Sequence, residues 1–363
     1  MGNKLSYCEP RCQICAVAFR VNRIPTPQER EAQMLGNEGA GDAHDGILHS
    51  PGAGYDGSLI SADEMKGVDN LRCLLRKPDD FTPEDGDEDF EKDATCFLTD
   101  VAAHRGPVIY RSGPFRTSRH GVTEAKITND NDAFGGEWGM PFHPTCFEIF
   151  KRVCLAKLGY VDIDGLWRVR DLRGSYEYSA AGTRRALSVR QYAFEDEGWH
   201  YKPGTEYLAA NPVNIPGFEE LVKSCADEPT VEGNGQLSPE SSPQQDPEVE
   251  SPKPDIFSKL PNELLSEIMW YLSPGDIANL RLATRSYRCL PDILFKHLIR
   301  TEMPYFWEFD DLDSQQTDWS QLYAKLKLDW KKNVLGLRNR ERIWKEVEGI
   351  VKMISETNCG LVH

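Results

Sequence analysis

The stretch 255–300 repeats apolar residues at helical spacing, and its polar and proline residues divide it into three short helices. The second helix begins at Ser273, a typical N-cap residue, with Pro274 in the first helical position and Asp276 completing a capping box. Pro291 opens the third helix. The pattern predicts an all-α cluster over 255–304. The apolar face of its first helix consists of Leu264, Leu265, Ile268, Met269 and Leu272.

The N-terminal half contains one strong helical pattern, over residues 142–158. Pro144 lies in its first turn, and Gly159 is a typical C-terminal stop. Closer to the N-terminus, alternating apolar residues from Val17 to Val21 predict a short strand. Residues 1–24 and 94–224 are therefore predicted to form an irregular α+β domain.

Two stretches lack apolar periodicity. Residues 25–93 are rich in glycine, aspartate and proline, and the short apolar piece Leu71, Leu74 and Leu75 is their one interruption, so they are predicted to be a flexible acidic insertion. Residues 225–254 contain several Ser-Pro pairs and are predicted to be a disordered linker. Beyond the cluster, residues 305–363 contain two more helical patterns. The predicted fold class is α+β, with the linker between the N-terminal domain and the all-α cluster.

The charge of the chain is concentrated in the two stretches without periodicity. The formal net charge of the 363 residues is −16. Residues 78–93 hold nine acids and one lysine, and residues 226–255 hold eight acids and one lysine. The remainder of the chain is nearly neutral, so it has no general positive field that would attract nucleic acid. Acidic runs of this kind are typical of solvated linkers.

The candidate for site chemistry is a pair of cysteine and histidine motifs, Cys12-x-x-Cys15 and His143-x-x-Cys146. Zinc binds four nitrogen or sulfur ligands, and ligands at this spacing fit a tight turn or the first turn of a helix. A knuckle followed by the start of a helix resembles treble-clef zinc modules. The alternatives are a chance Cys-x-x-Cys pair, a His143 that caps its own helix, and a site in which Cys8 or Cys96 replaces one ligand.

The sequence contains no motif of catalysis or of membrane insertion. It has no Gly-x-Ser-x-Gly, no phosphate-binding glycine-rich loop and no His-Glu-x-x-His, so we expect no enzyme activity. No signal peptide or apolar span is present, which favours a cytoplasmic or nuclear protein with reduced thiols. The N-terminal Met-Gly-x-x-x-Ser pattern places a candidate myristoylation site at Gly2, which would add membrane association.

The helical cluster resembles a known family. The pattern Leu260-Pro261-x-Glu263-Leu264-Leu265-x-x-Ile268-x-x-x-Leu272-Ser273-x-x-Asp276-x-x-x-Leu280-Arg281 is similar to the F-box, and the whole arrangement resembles filamentous-fungal F-box proteins. Ala283, Thr284 and Tyr287 depart from the residues common in that family. By resemblance, the surface that docks the Skp adaptor would contain Leu260, Pro261, Leu264, Ile268, Leu272 and Leu280.

The resemblance implies a function without catalysis. The chain would be the substrate-recruiting subunit of a Skp-cullin-type ubiquitin ligase. Its partners would be the Skp adaptor, cullin through that adaptor, and a protein substrate that the domain of residues 1–24 and 94–224 recognises. The alternative is a zinc-binding scaffold, tethered to a membrane if Gly2 is acylated, whose F-box-like helices pack within the chain. One structural zinc is the predicted cofactor in either case.

Overall fold

In the computed structural model, the chain divides into two compact units. One unit consists of Met1–Pro216 together with Lys332–His363, and the other of Gly217–Lys331. The described residues are 11–19, 21–35, 48–49, 54–103, 114–115, 119–121, 125–127, 138–173, 201–227, 256–284, 290–312 and 317–360.

The discontinuous unit contains two sheets. The strands are β1 Asn22–Ile24, β2 Leu48–His49, β3 Tyr55–Asp56, β4 Asn70–Arg76, β5 Cys96–Leu98, β6 Ala102–Ala103, β7 Pro114–Phe115, β8 Ala125–Ile127 and β9 Trp138–Phe142. The smaller sheet has the order β2-β1-β3 with parallel pairing. The larger sheet has the order β5-β4-β9-β8-β7, with β6 also paired to β4.

Strands β4 and β9 form the centre of the larger sheet. They pair antiparallel, with Cys73 opposite Pro141 and Leu74 opposite Met140. Cys73, Leu74 and Met140 are buried, as expected for strands covered on both faces. Because β9 ends at Phe142 and the next helix begins at Pro144, this pairing fixes the position of His143 between them.

Five α-helices of this unit lie in the described residues, and the longest comes from the C-terminus. They are α1 Pro27–Leu35, α2 Asp89–Lys92, α3 Pro144–Leu158, α4 Ile163–Arg173 and α11 Leu335–Asn358. Helix α11 packs on both α3 and α4. It buries Ile343, Val347, Ile350 and Ile354, and α3 buries Phe147, Phe150 and Val153. The predicted helix at 142–158 is therefore confirmed, including its stop at Gly159, whose φ is 82°.

The flexible insertion predicted for 25–93 is wrong over most of its length. Residues 54–93 include the central strand β4 and helix α2, and residues 27–35 form α1. Tyr55, Ile60 and Met65 are buried at intervals of five residues, a spacing that matches neither the helical nor the strand period. Hydrogen-bonded turns, such as the one in which Ser61 and Glu64 bond each other's backbone N–H, take the place of regular structure there.

In the described residues of the second unit, Gly217–Lys331, all regular secondary structure is helical. Its core contains Leu265, Met269, Ile277, Leu294 and Leu298. The helices are α5 Phe218–Asp227, α6 Asn262–Trp270, α7 Pro274–Ala283, α8 Asp292–Glu302 and α9 Trp319–Ala324, followed by a π-helical turn at Lys325–Trp330. Helix α10, Lys331–Asn333, begins at the last residue of this unit. The three helices predicted for the F-box-like cluster are confirmed as α6, α7 and α8.

Two predicted boundaries need correction, and the coarse fold class is confirmed. Residues 332–363 do not join 305–331 in a C-terminal helical region, because α11 belongs to the discontinuous unit. The predicted linker 225–254 lies outside the described residues, except that α5 extends to Asp227. The mixture of helix and sheet agrees with the predicted α+β class. None of the described helices combines the length and apolar character needed to cross a membrane.

Candidate metal centre

A tight turn at the N-terminus presents the first two cysteines. The Cys12 N–H donates to the Val17 carbonyl at 2.9 Å, and the Ala16 N–H donates to the Cys12 carbonyl at 2.8 Å. Ala16 has a φ of 64°, in the left-handed region that lets the chain reverse. The Cys15 N–H points at Cys12 Sγ, 3.4 Å away. The turn therefore aims both thiols in one direction and gives one of them a backbone donor.

The start of helix α3 presents the other two residues. His143 is the N-cap residue, Pro144 follows in the first turn, and Cys146 lies in the same turn. The turn and the end of β9 are joined, because the Gln13 N–H donates to the Pro141 carbonyl at 2.8 Å and the His143 N–H points at Cys12 Sγ at 3.4 Å. These contacts bring the two motifs together across more than a hundred residues of chain.

The four side chains form one buried cluster. The ligand atoms of Cys12, Cys15, His143 and Cys146 all lie within 4.8 Å of one another. His143 Nδ1 is 3.4 Å from Cys15 Sγ and 3.8 Å from Cys146 Sγ. In a tetrahedral zinc site of ordinary bond lengths, ligand atoms are about 3.5–3.8 Å apart. The donor set and its spacing therefore fit a metal ion, and the predicted set of four is the set that the structure brings together.

The electrostatics of the cluster call for a central cation. Burial opposes ionisation of Cys15, but hydrogen bonds with the thiols of Cys12 and Cys146 and the charge of His143 hold the pKa of Cys15 well below its usual range. Burial also disfavours the imidazolium form, yet the negative charges of Cys12 and Cys15 raise the pKa of His143 to about 10. Burial, and then the same two thiols, raise the pKa of Cys146. A divalent cation would allow all three thiols to ionise together.

Two of the alternatives left open by the sequence do not match the geometry. His143 does not cap its own helix with its side chain. Its ring instead packs on Phe19 with centroids 4.6 Å apart, and its buried Nε2 has no hydrogen-bond partner among the described residues. Cys96 lies outside the cluster, where burial and then the charge of Asp164 raise its pKa to about 12. Cys8 lies outside the described residues, as does Gly2.

A small crevice borders the cluster. Its lining includes Cys15, His143 and Cys146 of the cluster together with Asn211, Asn339 and Ile343. The crevice has room for about one water molecule. All four ligand positions are supplied by the chain, which is the arrangement of structural rather than catalytic zinc.

The sequence did not indicate the residues of α11 that support this site. Arg342 is buried and donates from Nη1 to the Cys15 carbonyl at 2.9 Å. Asn339 donates to the Ala210 carbonyl at 2.7 Å, on the loop that lines the crevice. The charged residues of this helix alternate among Arg, Glu and Lys, a pattern that is typical of a solvated face. Helical spacing was the signal that the sequence offered for their burial. Asn339 and Arg340 precede the buried Ile343 by one helical turn and so lie on the same face.

The residues predicted to dock the Skp adaptor lie in the other unit and divide into two sets. Leu260, Leu272 and Leu280 are partly buried against that unit's own core. Pro261 is exposed, Ile268 is half-buried, and Leu264 is 51% exposed. Other large apolar side chains of the helical cluster are exposed as well, namely Trp270, Tyr271, Leu282 and Ile293. The cluster therefore has apolar surface beyond what its core uses.

Comparisons with known proteins do not assign the chain to a family. No protein-family model, no curated protein and no solved structure matches it.

Proposed function

We propose that this chain is a non-catalytic, substrate-recruiting subunit of a Skp-cullin-type ubiquitin ligase. In this proposal the helical unit Gly217–Lys331 docks the Skp adaptor and the discontinuous unit binds the target protein. The observation that carries the proposal is the division of the F-box-like motif on helix α6. Leu265 and Met269 fill the core, whereas Pro261 and Leu264 face solvent.

The exposed half of the motif supports docking rather than internal packing. An apolar side chain left in water forgoes about 1.5–3 kcal/mol of burial free energy, and soluble proteins rarely gather many such residues on one short helical unit. Leu264 stands beside Leu265 in sequence yet points away from the core. A partner with an apolar groove would bury it together with Pro261. The Skp adaptor is the partner that the resemblance names.

We further propose that Cys12, Cys15, His143 and Cys146 hold one structural zinc. The cluster is closed and buried, and thiolate and imidazole ligands suit zinc. The ion would tie the N-terminal turn to the start of α3 and so stabilise the discontinuous unit. No open ligand position is left for a reacting water, which supports a structural role.

A second candidate is a zinc-dependent scaffold whose F-box-like helices serve only their own unit. The observation that favours it is the partial burial of Leu260, Leu272 and Leu280 against the core of that unit. These three residues belong to the motif but are already used within the chain. Tethering through an acylated Gly2 would be part of this candidate.

Co-purification of the full-length chain with the Skp adaptor separates the two candidates. Leu264→Asp should abolish binding while leaving the helical unit folded, because Leu264 is not part of the core. Leu328→Asp is the matched control, since Leu328 is a leucine of the same unit that is 71% exposed and outside the motif. Adaptor binding by wild type and by the control alone would support the ligase subunit. Absence of binding by the folded wild type would leave the scaffold.

A further inference from the structure

Arg342 brings a positive charge into the interior of the discontinuous unit, directly behind the metal-binding turn. Its side chain is buried in helix α11. Nη1 donates to the Cys15 carbonyl at 2.9 Å, and Nη2 and Nε donate to Asn339 Oδ1 at 2.8 and 3.1 Å. Cys15 is itself one of the four candidate ligands. The guanidinium therefore contacts the backbone of a residue whose side chain belongs to the cluster.

Within the described residues, this arginine has no carboxylate partner. Both of its hydrogen-bond acceptors, a carbonyl and an amide oxygen, are uncharged. Two other buried arginines of the unit are paired with acids: Arg23 with Glu29, and Arg119 with Asp87 and Glu91. A buried cation without a counter-ion is strongly unfavourable, so a negative charge close to Arg342 is expected.

The loaded metal centre would supply that charge. Three thiolates and one neutral imidazole around a divalent cation leave one net negative charge in a buried site. We propose that Arg342 is the counter-ion of this centre and that it positions Cys15 through the carbonyl bond. This inference rests on the structural zinc proposed above and deepens it. The site would bind a divalent metal ion that prefers thiolate ligands, and its affinity for that ion would depend on the positive charge of Arg342 in α11.

The test compares two substitutions in the full-length protein by chelator competition for Zn²⁺. Glutamine and lysine can both donate a hydrogen bond to the Cys15 carbonyl, but only lysine carries a charge. Arg342→Gln should weaken zinc affinity by about 10–100-fold, the usual effect of losing a partner that supports a metal ligand. Arg342→Lys should stay close to wild-type affinity. The cobalt-substituted forms, read by their thiolate charge-transfer bands, provide a second readout.

Arg340→Gln is the matched control. Arg340 is buried in the same helix, but it donates to the carbonyls of Pro212 and Val213 instead of the metal-binding turn. Its loss should lower the unfolding temperature and leave zinc affinity unchanged. All variants are compared in excess zinc, which favours the folded form by mass action, with near-UV circular dichroism as the check on folding.

Each outcome decides the inference. Weakened zinc binding in Arg342→Gln, with wild-type binding in Arg342→Lys, supports the role of Arg342 as counter-ion. Failure of the glutamine variant to fold under conditions in which the lysine variant folds supports it as well. Equal loss in both variants, or no loss in either, overturns it. A folded wild-type protein that binds neither Zn²⁺ nor Co²⁺ would instead refute the metal centre itself, and that failure is distinguishable because it precedes any substitution.

Discussion

Glu91 and Arg119 form a bidentate ion pair in the interior of the discontinuous unit. Arg119 Nη1 lies 3.1 Å from Glu91 Oε1, and Arg119 Nη2 lies 2.9 Å from Glu91 Oε2, with the Glu91 side chain 0% exposed. The Leu98 N–H donates to the same carboxylate at 2.7 Å, and Asp87 also pairs with Arg119, at 2.6 Å. The acidic run 78–93 is therefore anchored to the fold at two of its acids.

Glu91→Gln should destabilise the unit by about 3–5 kcal/mol, the usual cost of breaking a buried pair by removing one partner. Glu91 Oε2 now accepts hydrogen bonds from Arg119 Nη2 and from the Glu88 N–H. In the glutamine variant an amide NH₂ group would take the place of this oxygen, so donors would face donors. Urea unfolding of the full-length protein measures the change. Asp89→Asn is the control, because Asp89 is exposed and its ion pair within the described residues is with the exposed Lys92, so the stability of this variant should match wild type. Equal stability of the two variants would contradict the prediction.

The acidic run shows what the sequence could not reveal. Nine acids within sixteen residues are typical of a solvated segment, and most of these acids are indeed exposed. Which two are buried depends on Arg119, which follows Glu91 by 28 residues. Tertiary pairing at that separation leaves no periodic signal. Two capping boxes, Thr26-x-x-Glu29 and Ser61-x-x-Glu64, do leave a local signal in the sequence. They indicate order within residues 25–93, which were predicted to be a flexible insertion.

The candidate metal site could be predicted to the extent that its chemistry is local. Cys12 and Cys15 fit a turn, and His143 and Cys146 fit the start of a helix that Pro144 and Gly159 delimit. Spacing alone therefore identified all four residues. Arg342 could not be found in this way, because it reaches Cys15 across 327 residues and lies in a helix whose charges suggested solvent.

Removal of a ligand should empty the site, and a second cysteine on the same helix serves as the control. Purified wild type should contain about one zinc per chain, and Cys146→Ser should contain almost none, with loss of near-UV circular dichroism, because structural zinc contributes folding free energy directly. Cys154→Ser should keep its zinc, since Cys154 is buried in α3 but outside the cluster. Metal analysis by mass spectrometry checks both. A wild-type fold that a chelator does not disturb would count against the site.

The ion pair between Arg23 and Glu29 predicts a pH dependence with a definite sign. Hydrogen bonding to Arg23, at 2.8 and 3.0 Å, is the main cause that lowers the pKa of Glu29 from 4.5 to about 2. A carboxyl group whose pKa is lower in the folded state stabilises the fold above its unfolded pKa. Wild type should therefore be more stable than Glu29→Gln at neutral pH, and the difference should shrink as the pH falls from 4.5 towards 2.

Thermal unfolding of the two proteins at matched pH values measures this difference, and acid effects that both share cancel. Glu29 is 38% exposed, so the contribution is reduced by solvent screening. A difference in unfolding temperature that remained constant down to pH 2 would show that the pair does not titrate as its geometry implies.

The discontinuous unit closes through a contact between its two chain segments. A Cβ at Gly336, near the start of α11, would lie 2.6 Å from the Asn211 carbonyl oxygen and 2.7 Å from Ile215 Cγ1. The chain therefore leaves this unit after Pro216 and re-enters it at Lys332 close to the same place. Gly336→Ala should destabilise the unit by about 1–3 kcal/mol through overpacking against the backbone.

The same closure predicts which part of the chain folds alone. A fragment 1–224 lacks α11 and with it the buried Ile343, Val347, Ile350 and Ile354. Each such side chain contributes about 1.5–3 kcal/mol on burial, and a typical domain is stable by only about 5–15 kcal/mol, so the fragment should not fold. A chain in which a flexible linker of about ten residues replaces 217–331 should fold, because such a linker spans roughly 15–20 Å. Zinc content and near-UV circular dichroism distinguish the two proteins, and a folded, zinc-loaded fragment 1–224 would contradict the role given to α11.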